Sequence, residues 1–224
     1  MEASEKFKKN IRDYVEVILS MPFAGKLNGE SWEYLVAYAY NLPHVPTKLL
    51  YDVVDIQNGI GRSVKTIRGN TTRGSRVEPI IARADIYGKA ELLGYEELSE
   101  KDHPQYLGNA LIRFWNNKMQ DHADLLGIKT KKISMLVKSY DLTQFAYFEK
   151  DLEPYVEDDF IWQWTDDQRV SLVGLPRGKD YWKFKWTPKG QQLFERWLIP
   201  RDAYIFEVEP HHLSMDALKK ALDI

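Results

Sequence analysis

The stretch between residues 49 and 68 constrains the fold more than any other part of the sequence. Leu49 to Ile56 is apolar and β-branched around two aspartates, and Arg62 to Arg68 has the composition of a second strand. Between them lies Gln57-Asn58-Gly59, and an Asn-Gly pair between two such runs favours a tight hairpin turn. We therefore predict an antiparallel β-hairpin, which commits this part of the chain to a β-sheet.

Helix-like and strand-like segments alternate around this hairpin. The spacing of apolar residues predicts helices over residues 4–20, 32–40, 78–93, 106–126 and 189–198. Asn28 or Ser31 can cap the second helix, and Pro79 suits the first turn of the third. Further strands are predicted over residues 133–138, 145–148, 160–164, 170–173, 182–186 and 204–208. This order predicts an α+β protein with α/β-like character, in which helices flank a mixed central sheet.

Length and composition favour a single domain. The 224 residues contain no repeat or Pro/Gly/Ser-rich linker, and 44% hydrophobic residues can fill a core. We expect a domain spanning residues 1–224, with a core over about residues 30–150 and a strand-rich elaboration over about 151–224.

Composition also excludes several classes of function. The chain has no cysteine, so disulfides, thiolate nucleophiles and zinc–cysteine sites are ruled out. No window approaches eighteen consecutive apolar residues, and Met1 to Asp13 is charged where a secretory signal would be apolar. We therefore expect a cytoplasmic protein without a membrane partner. The net charge of -2 gives no overall attraction to nucleic acid, so any such binding must come from local clusters.

The hairpin brings charged residues together. It places Asp52 on the outgoing strand near Ser63 and Lys65 on the returning one, and Ser63 and Lys65 share a strand face because they are two residues apart. A carboxylate can bind Mg²⁺, and a nearby lysine can position the water that attacks a phosphodiester. The alternative is a cross-strand surface ion pair between Asp52 and Lys65. Asp55 competes with Asp52 for the role of metal ligand, since only one of them can face the site.

Two segments carry a family resemblance. Asp52-Val53-Val54 and Ser63-Val64-Lys65 resemble the two halves of the PD-(D/E)XK nuclease motif, in the Ser-Val-Lys variant of some type II restriction endonucleases. The resemblance covers mainly residues 30 to 85. It implies a restriction-endonuclease-like core and Mg²⁺-dependent, sequence-specific hydrolysis of double-stranded DNA by a homodimer. Tyr51 replaces the common proline, and Ser63 replaces the second acid of the motif.

The second acid must then come from elsewhere in the chain. In the Ser-Val-Lys enzymes a following helix supplies it, and Glu78 stands at the start of the helix predicted over residues 78–93. A helix-capping acid is the alternative for Glu78. Glu33 or Glu30, on the preceding helix, is a further candidate, with a surface acid as its alternative. The resemblance thus implies Asp52, Lys65, Ser63 and Glu78 as catalytic residues, and Asp52, Glu78, Glu33 and Asp55 as candidate metal ligands.

Two clusters of basic and amide side chains are candidates for DNA binding. The loop after Lys65 interleaves arginines with small polar residues, which is typical of phosphate contacts. The helix over residues 106–126 adds side chains that can read base edges. The candidates are Arg68, Arg73, Arg76, Arg83, Arg113, Asn116, Asn117, Lys118 and Gln120. The alternatives are a solvated loop and an ordinary polar helix face. In the later strands, alternating aromatic and cationic residues indicate either a nucleic-acid groove or a sheet with one buried face.

Other functions remain as alternatives. The five histidines show no His-Asn-His or metal-ligand spacing, and no Gly-rich phosphate loop is present. A metal-independent DNA-processing enzyme, a non-catalytic DNA-binding protein and an interaction module in which Asp52 and Lys65 merely pair stay open.

Overall fold

The computed structural model describes residues 5–22, 27–44, 49–209, 211, 213–221 and 223. The α-helices are α1 (Glu5–Ser20), α2 (Gly29–Ala39), α3 (Pro104–Leu126) and α4 (Met215–Ala221). The strands are β1 (Val53–Asp55), β2 (Ile60–Arg68), β3 (Arg76–Val77), β4 (Ile80–Arg83), β5 (Thr130–Lys138), β6 (Gln144–Asp151), β7 (Phe160–Trp164), β8 (Leu172–Pro176), β9 (Phe184–Thr187), β10 (Gln192–Glu195), β11 (Trp197–Leu198) and β12 (Tyr204–Glu207). The prediction of an α+β protein with helices alongside a mixed sheet is confirmed.

The chain forms two compact units, each built from separate segments. Unit 1 comprises Met1–Ser75, Leu126–Asp151 and Leu198–Ile224, and unit 2 comprises Arg76–Leu125 and Leu152–Trp197. The short strands β3 and β11 pair with each other. The single domain inferred from the sequence stays a prediction.

Unit 1 is built on a mixed five-stranded sheet in the order β1-β2-β5-β6-β12. Strands β2 and β5 are parallel, and the other neighbours are antiparallel. Apolar residues of α1 and α2, including Ile11 and Trp32, pack in one buried cluster with Val64, Leu136 and Phe145 of the sheet. Helix α1 matches its predicted bounds closely, and Asn28 caps α2 by accepting from the Ser31 backbone N–H at 2.8 Å.

The predicted hairpin is present as β1 and β2. Val53 pairs with Arg62 and Asp55 with Ile60, so the strands are antiparallel in the expected register. Gly59 has a φ of +64°, which glycine adopts at little cost. Asp55 closes the turn by accepting from the backbone N–H of Asn58 at 3.1 Å and from its side-chain amide at 2.8 Å. The outgoing strand is shorter than predicted and begins at Val53.

Unit 2 contains an antiparallel five-stranded sheet in the order β4-β10-β9-β8-β7. Trp162 and Trp186 are buried, while Ile161, between two buried residues of β7, is exposed, so this sheet has one buried face. A Cβ at Gly108 of α3 would lie 2.0 Å from the Trp162 ring, so only glycine allows the indole this close to the helix. The aromatic residues of these strands therefore mainly form a core.

Two helix predictions are wrong. Residues 78–93 contain β4 and a short 3₁₀ helix over Glu91–Leu93, and residues 189–198 contain β10 and β11. Both apolar patterns fit a half-buried strand as well as a helix, and β4 pairs with β10, more than a hundred residues away. The turn after Pro188 ends at Gln191, whose φ is +51°, and turns β9 back into β10.

The prediction of no membrane-spanning segment agrees with the helices. Over the ranges given above, no helix combines the length and the apolar character needed to cross a bilayer.

Candidate active site

Asp52 and Lys65 meet in unit 1, at the point where β1 separates from β2. The backbone N–H of Asp52 donates to the Arg62 carbonyl at 2.9 Å, which continues the hairpin by one residue. The Oδ2 atom of Asp52 accepts from the Val64 backbone N–H at 2.6 Å and from Lys65 Nζ at 3.4 Å. Both side chains are largely buried, with exposed fractions of 13% for Asp52 and 25% for Lys65. The geometry thus differs from that of an exposed surface pair.

Lys65 is fixed by a second contact. Its Nζ atom also donates to the Val64 carbonyl at 3.1 Å. The Asp52 carboxylate and the Val64 carbonyl together hold the ammonium group near the start of β1. The predicted convergence of an acid and an amine on neighbouring strands is therefore present in the structure.

Glu33 of α2 lies close enough to Asp52 and Lys65 for their charges to shift its pKa. Burial raises the pKa of Glu33, and the negative charge of Asp52 raises it further, while Lys65 and His44 lower it in part. Burial likewise raises the pKa of Asp52, against the opposing effects of Lys65 and the Val64 N–H. Two carboxylates with raised pKa values share a region with a single lysine. Such an arrangement favours the binding of an additional cation or proton.

His44 completes the group. Its Nε2 atom lies 3.6 Å from Oε2 of Glu33, its side chain is 5% exposed, and its ring centroid is 3.8 Å from that of Tyr34. Neither ring nitrogen makes a hydrogen bond to any residue that the structure describes. Sequence reasoning missed His44 because the spacing of the histidines matches no metal motif, and nothing local signals its proximity to Glu33.

Ser63, two residues before Lys65 on β2, is fully buried. Its hydroxyl has no hydrogen-bond partner within the described ranges. A buried polar atom without a partner is uncommon. A serine hydroxyl nevertheless cannot replace the charge of a carboxylate, so a second acid, which the resemblance implies, would be another residue.

Asp55 and Glu30 lie in different surroundings from Asp52. Asp55 is committed to the hairpin turn, where hydrogen bonds from Asn58 lower its pKa. Glu30 is exposed in the first turn of α2. Of the two aspartates, it is Asp52 that contacts Lys65.

Glu78 belongs to unit 2 and pairs with an arginine there. Its Oε1 atom accepts from Nε of Arg196 at 2.9 Å and from a terminal guanidinium nitrogen of Arg196 at 2.8 Å. Because residues 78–93 do not form an α-helix, the alternative of a helix-capping acid is wrong. The metal-binding role of Glu78 stays a prediction.

The candidate DNA-binding residues fall into two groups. Arg68, Arg73, Arg76 and Arg83 are exposed, although Arg73 donates to the Ala203 carbonyl at 3.1 Å. On α3, by contrast, Arg113 pairs with Glu157, Asn116 bonds the backbone of Tyr155, and Gln120 bonds Asp124, while Asn117 is exposed and Lys118 half-buried. Strands β2, β3 and β4 contain Arg68, Arg76 and Arg83, so the predicted loop is interrupted by strands, and the four arginines are more exposed than most of the α3 candidates.

The carboxylate oxygens and the imidazole nitrogens near Asp52 are donor types that bind divalent ions. They are not already arranged around a common metal position. Across the part of the chain that the structure describes, no three His, Asp or Glu side chains already converge as a metal-binding group. Comparison with family models, with curated proteins and with solved structures finds no match to this chain. Any function must therefore be inferred from the chemistry of Glu33, His44, Asp52 and Lys65.

Proposed function

We propose that this chain is a Mg²⁺-dependent endonuclease that hydrolyses phosphodiester bonds of double-stranded DNA in the manner of type II restriction enzymes. One observation supports the proposal above others. Asp52 and Lys65 are in contact, and both side chains are largely buried. Burial raises the pKa of Glu33, and the negative charge of the nearby Asp52 raises it further. An exposed structural ion pair would need neither the burial nor the second carboxylate.

The two carboxylates would hold the metal. Asp52 and Glu33 offer the oxygen donors that Mg²⁺ prefers, and burial raises the pKa of both carboxyls, an effect that the charge of a divalent ion would oppose. When bound, the ion would polarise the scissile phosphate and activate a water molecule. Ser63 could serve such a water, because its buried hydroxyl is unpaired among the described residues.

Lys65 would act on the phosphate and the water. Its ammonium group is held near the start of β1 by Asp52 and by the Val64 carbonyl, so it is oriented before any substrate binds. A fixed positive charge stabilises the negative charge that develops on the phosphate during attack, and it costs no reorganisation at that moment. The exposed Arg68 and Arg73 of unit 1 would grip the backbone of the duplex.

A second function is supported by Ser63. Because the motif lacks its usual second acid, the same fold could bind DNA without cutting it, or process it without a metal. Binding without cutting predicts no cleavage in Mg²⁺, metal-independent processing predicts cleavage that persists when the metal is chelated, and both predict DNA binding.

Incubation of the purified protein with Mg²⁺ and supercoiled plasmid DNA of mixed sequence tests the proposal. We expect nicking and linearisation, and a loss of at least about 100-fold in rate for Asp52→Asn and Lys65→Ala, since fixed electrostatic groups contribute on that scale. The double variant Lys132→Ala, Asp151→Ala is the control, because it removes an ion pair of the same kind from β5 and β6. Binding without cleavage would favour the non-catalytic alternative, and full activity in Asp52→Asn would refute the proposed site.

The proposal includes a symmetric dimer. A two-fold dimer acts naturally on a palindromic site, because each copy faces one strand in an equivalent way. Sedimentation of the protein on a DNA duplex would then show two copies of the 26.3 kDa chain per cut site.

A further inference from the structure

The buried imidazole of His44 is the feature that the proposed reaction leaves unused. Its side chain is 95% removed from solvent, and neither nitrogen is hydrogen-bonded within the part of the chain that the structure describes. Buried polar groups in proteins nearly always have a hydrogen-bond partner, and a water molecule or an ion can supply one where the protein does not. A ring nitrogen is one of the common donors to divalent transition metals.

The imidazole of His44 lies beside the proposed site. It follows α2 in the chain, and contact with the Tyr34 ring packs the imidazole beside Glu33. At 3.6 Å, the distance between Nε2 and the Glu33 carboxylate exceeds a normal N–H···O hydrogen bond. His44 also lies near enough to Asp52 to influence its carboxylate electrostatically. The histidine thus lies beside Glu33, in a long ion-pair contact, and within electrostatic reach of Asp52.

We propose that His44 is a ligand of the same divalent ion as Glu33 and Asp52, and that its nitrogen makes this site prefer Mn²⁺ or Co²⁺ to Mg²⁺. The inference rests on the proposed function, since it concerns the same metal site. Mg²⁺ strongly favours oxygen donors. Replacing one oxygen ligand by an imidazole nitrogen shifts the metal preference of a site toward transition metals. Among these ions, Mn²⁺ binds a given site less tightly than Co²⁺ does.

Metal binding without DNA tests this inference directly. Titration calorimetry of the whole protein with Mn²⁺ and with Mg²⁺ should give at least ten-fold tighter binding of Mn²⁺. His44→Ala should lose at least about ten-fold in affinity for Mn²⁺, because even the loss of a group that only supports a ligand costs that much, and should lose less for Mg²⁺. His211→Ala removes another histidine from unit 1 and should bind both ions as the unchanged protein does.

A spectroscopic measurement avoids dependence on the folding of the variant. Pulsed electron paramagnetic resonance of Mn²⁺ bound to the unchanged protein should show coupling to a ¹⁴N nucleus, and His44→Ala should lose it. Bound Mn²⁺ without nitrogen coupling would overturn the inference, as would an absence of Mn²⁺ binding.

The plasmid assay separates this inference from the proposed function. Cleavage by a protein whose Mn²⁺ shows no nitrogen coupling would refute the role of His44 and leave the nuclease standing. Nitrogen-coupled Mn²⁺ in a protein that cleaves no DNA would support the metal site and refute the nuclease.

Discussion

At the scale of single residues, environment separates two aspartates that the sequence leaves equivalent. Asp52 and Asp55 lie three residues apart, yet burial raises the pKa of Asp52 while hydrogen bonds from Asn58 lower that of Asp55. Sequence reasoning could identify both as candidates but could not choose between them, because the choice depends on where β1 separates from β2. The contact between Asp52 and Lys65 now favours Asp52 as the acid of the site.

The opposite pKa shifts predict opposite pH dependence of stability. The folded protein binds the Asp52 proton more tightly than the unfolded chain does, so stability falls as pH rises from the ordinary aspartate value through the raised one. Without divalent metal, the free energy of unfolding of Asp52→Asn should therefore rise relative to that of the unchanged protein as the pH increases through the range above the ordinary aspartate pKa. Asp55→Asn should behave differently, because the Asp55 contribution is present at neutral pH and fades as pH falls. Urea denaturation across this range measures both, and a parallel response of the two variants would contradict the assignment.

Two glutamates can be compared as sources of the missing second acid. Burial and the charge of Asp52 raise the pKa of Glu33, so these two carboxylates interact. The carboxylate of Glu78 instead accepts a hydrogen bond from Arg196. We expect Glu33→Gln to lower the rate of plasmid cleavage by about ten-fold or more and Glu78→Gln to leave it within a few-fold, since loss of metal ligation costs at least this much. Initial rates in Mg²⁺ measure the difference. The reverse order of effects would restore Glu78 to the site.

At the scale of elements, close packing at Gly61 holds the hairpin that carries the site. A Cβ at this position would lie 2.3 Å from Ile128 and 2.9 Å from the Tyr51 ring, which is next to Asp52 in the chain. Only glycine fits here without a shift, because a β-carbon would force the Ile128 side chain and the Tyr51 ring to move. The sequence suggested the hairpin but gave no sign of this constraint.

Gly61→Ala should therefore destabilise the protein and disturb the site. We expect a loss of about 1–3 kcal/mol in the free energy of unfolding, the usual cost of overpacking, together with slower cleavage. Gly69→Ala is the matched control, because a Cβ there would meet only Val137 at 3.8 Å, an ordinary contact. Chemical denaturation and plasmid assays on both variants decide the matter. Equal stability of the two would show that Tyr51 and Ile128 give way easily.

The elements that were predicted well are those whose signals are local. Helices α1, α2 and α3 and the Asn-Gly hairpin follow from capping residues, apolar spacing and a turn within a few residues of each other. Strands β4 and β10 were predicted as helices because each is defined by a partner far along the chain. Local periodicity carries no information about such a partner.

At the scale of the whole molecule, the near-neutral net charge concentrates any DNA contact on a few exposed arginines. Arg68 is exposed, whereas Arg113 already pairs with Glu157. Arg68→Ala should weaken DNA binding and lower the slope of log affinity against log salt by about one, as expected for the loss of one phosphate contact. Arg113→Ala should leave the slope unchanged. Fluorescence anisotropy with a DNA duplex at several salt concentrations measures both, and a larger change for Arg113→Ala would move the interface to α3.

The division of the chain into segments has a consequence for its synthesis. The sheet of unit 1 takes β1 and β2 from the first segment, β5 and β6 from the second, and β12 from the third. A ribosome therefore releases the residues of the acid–lysine hairpin long before the last strand of their sheet exists. Meanwhile β6 has an uncovered edge, and Phe145 lacks the ring of Phe206 that stacks on it. The nascent chain thus completes the sheet of unit 1 only after β12 has been synthesised, and until then it presents a hydrophobic strand edge that a chaperone would recognise.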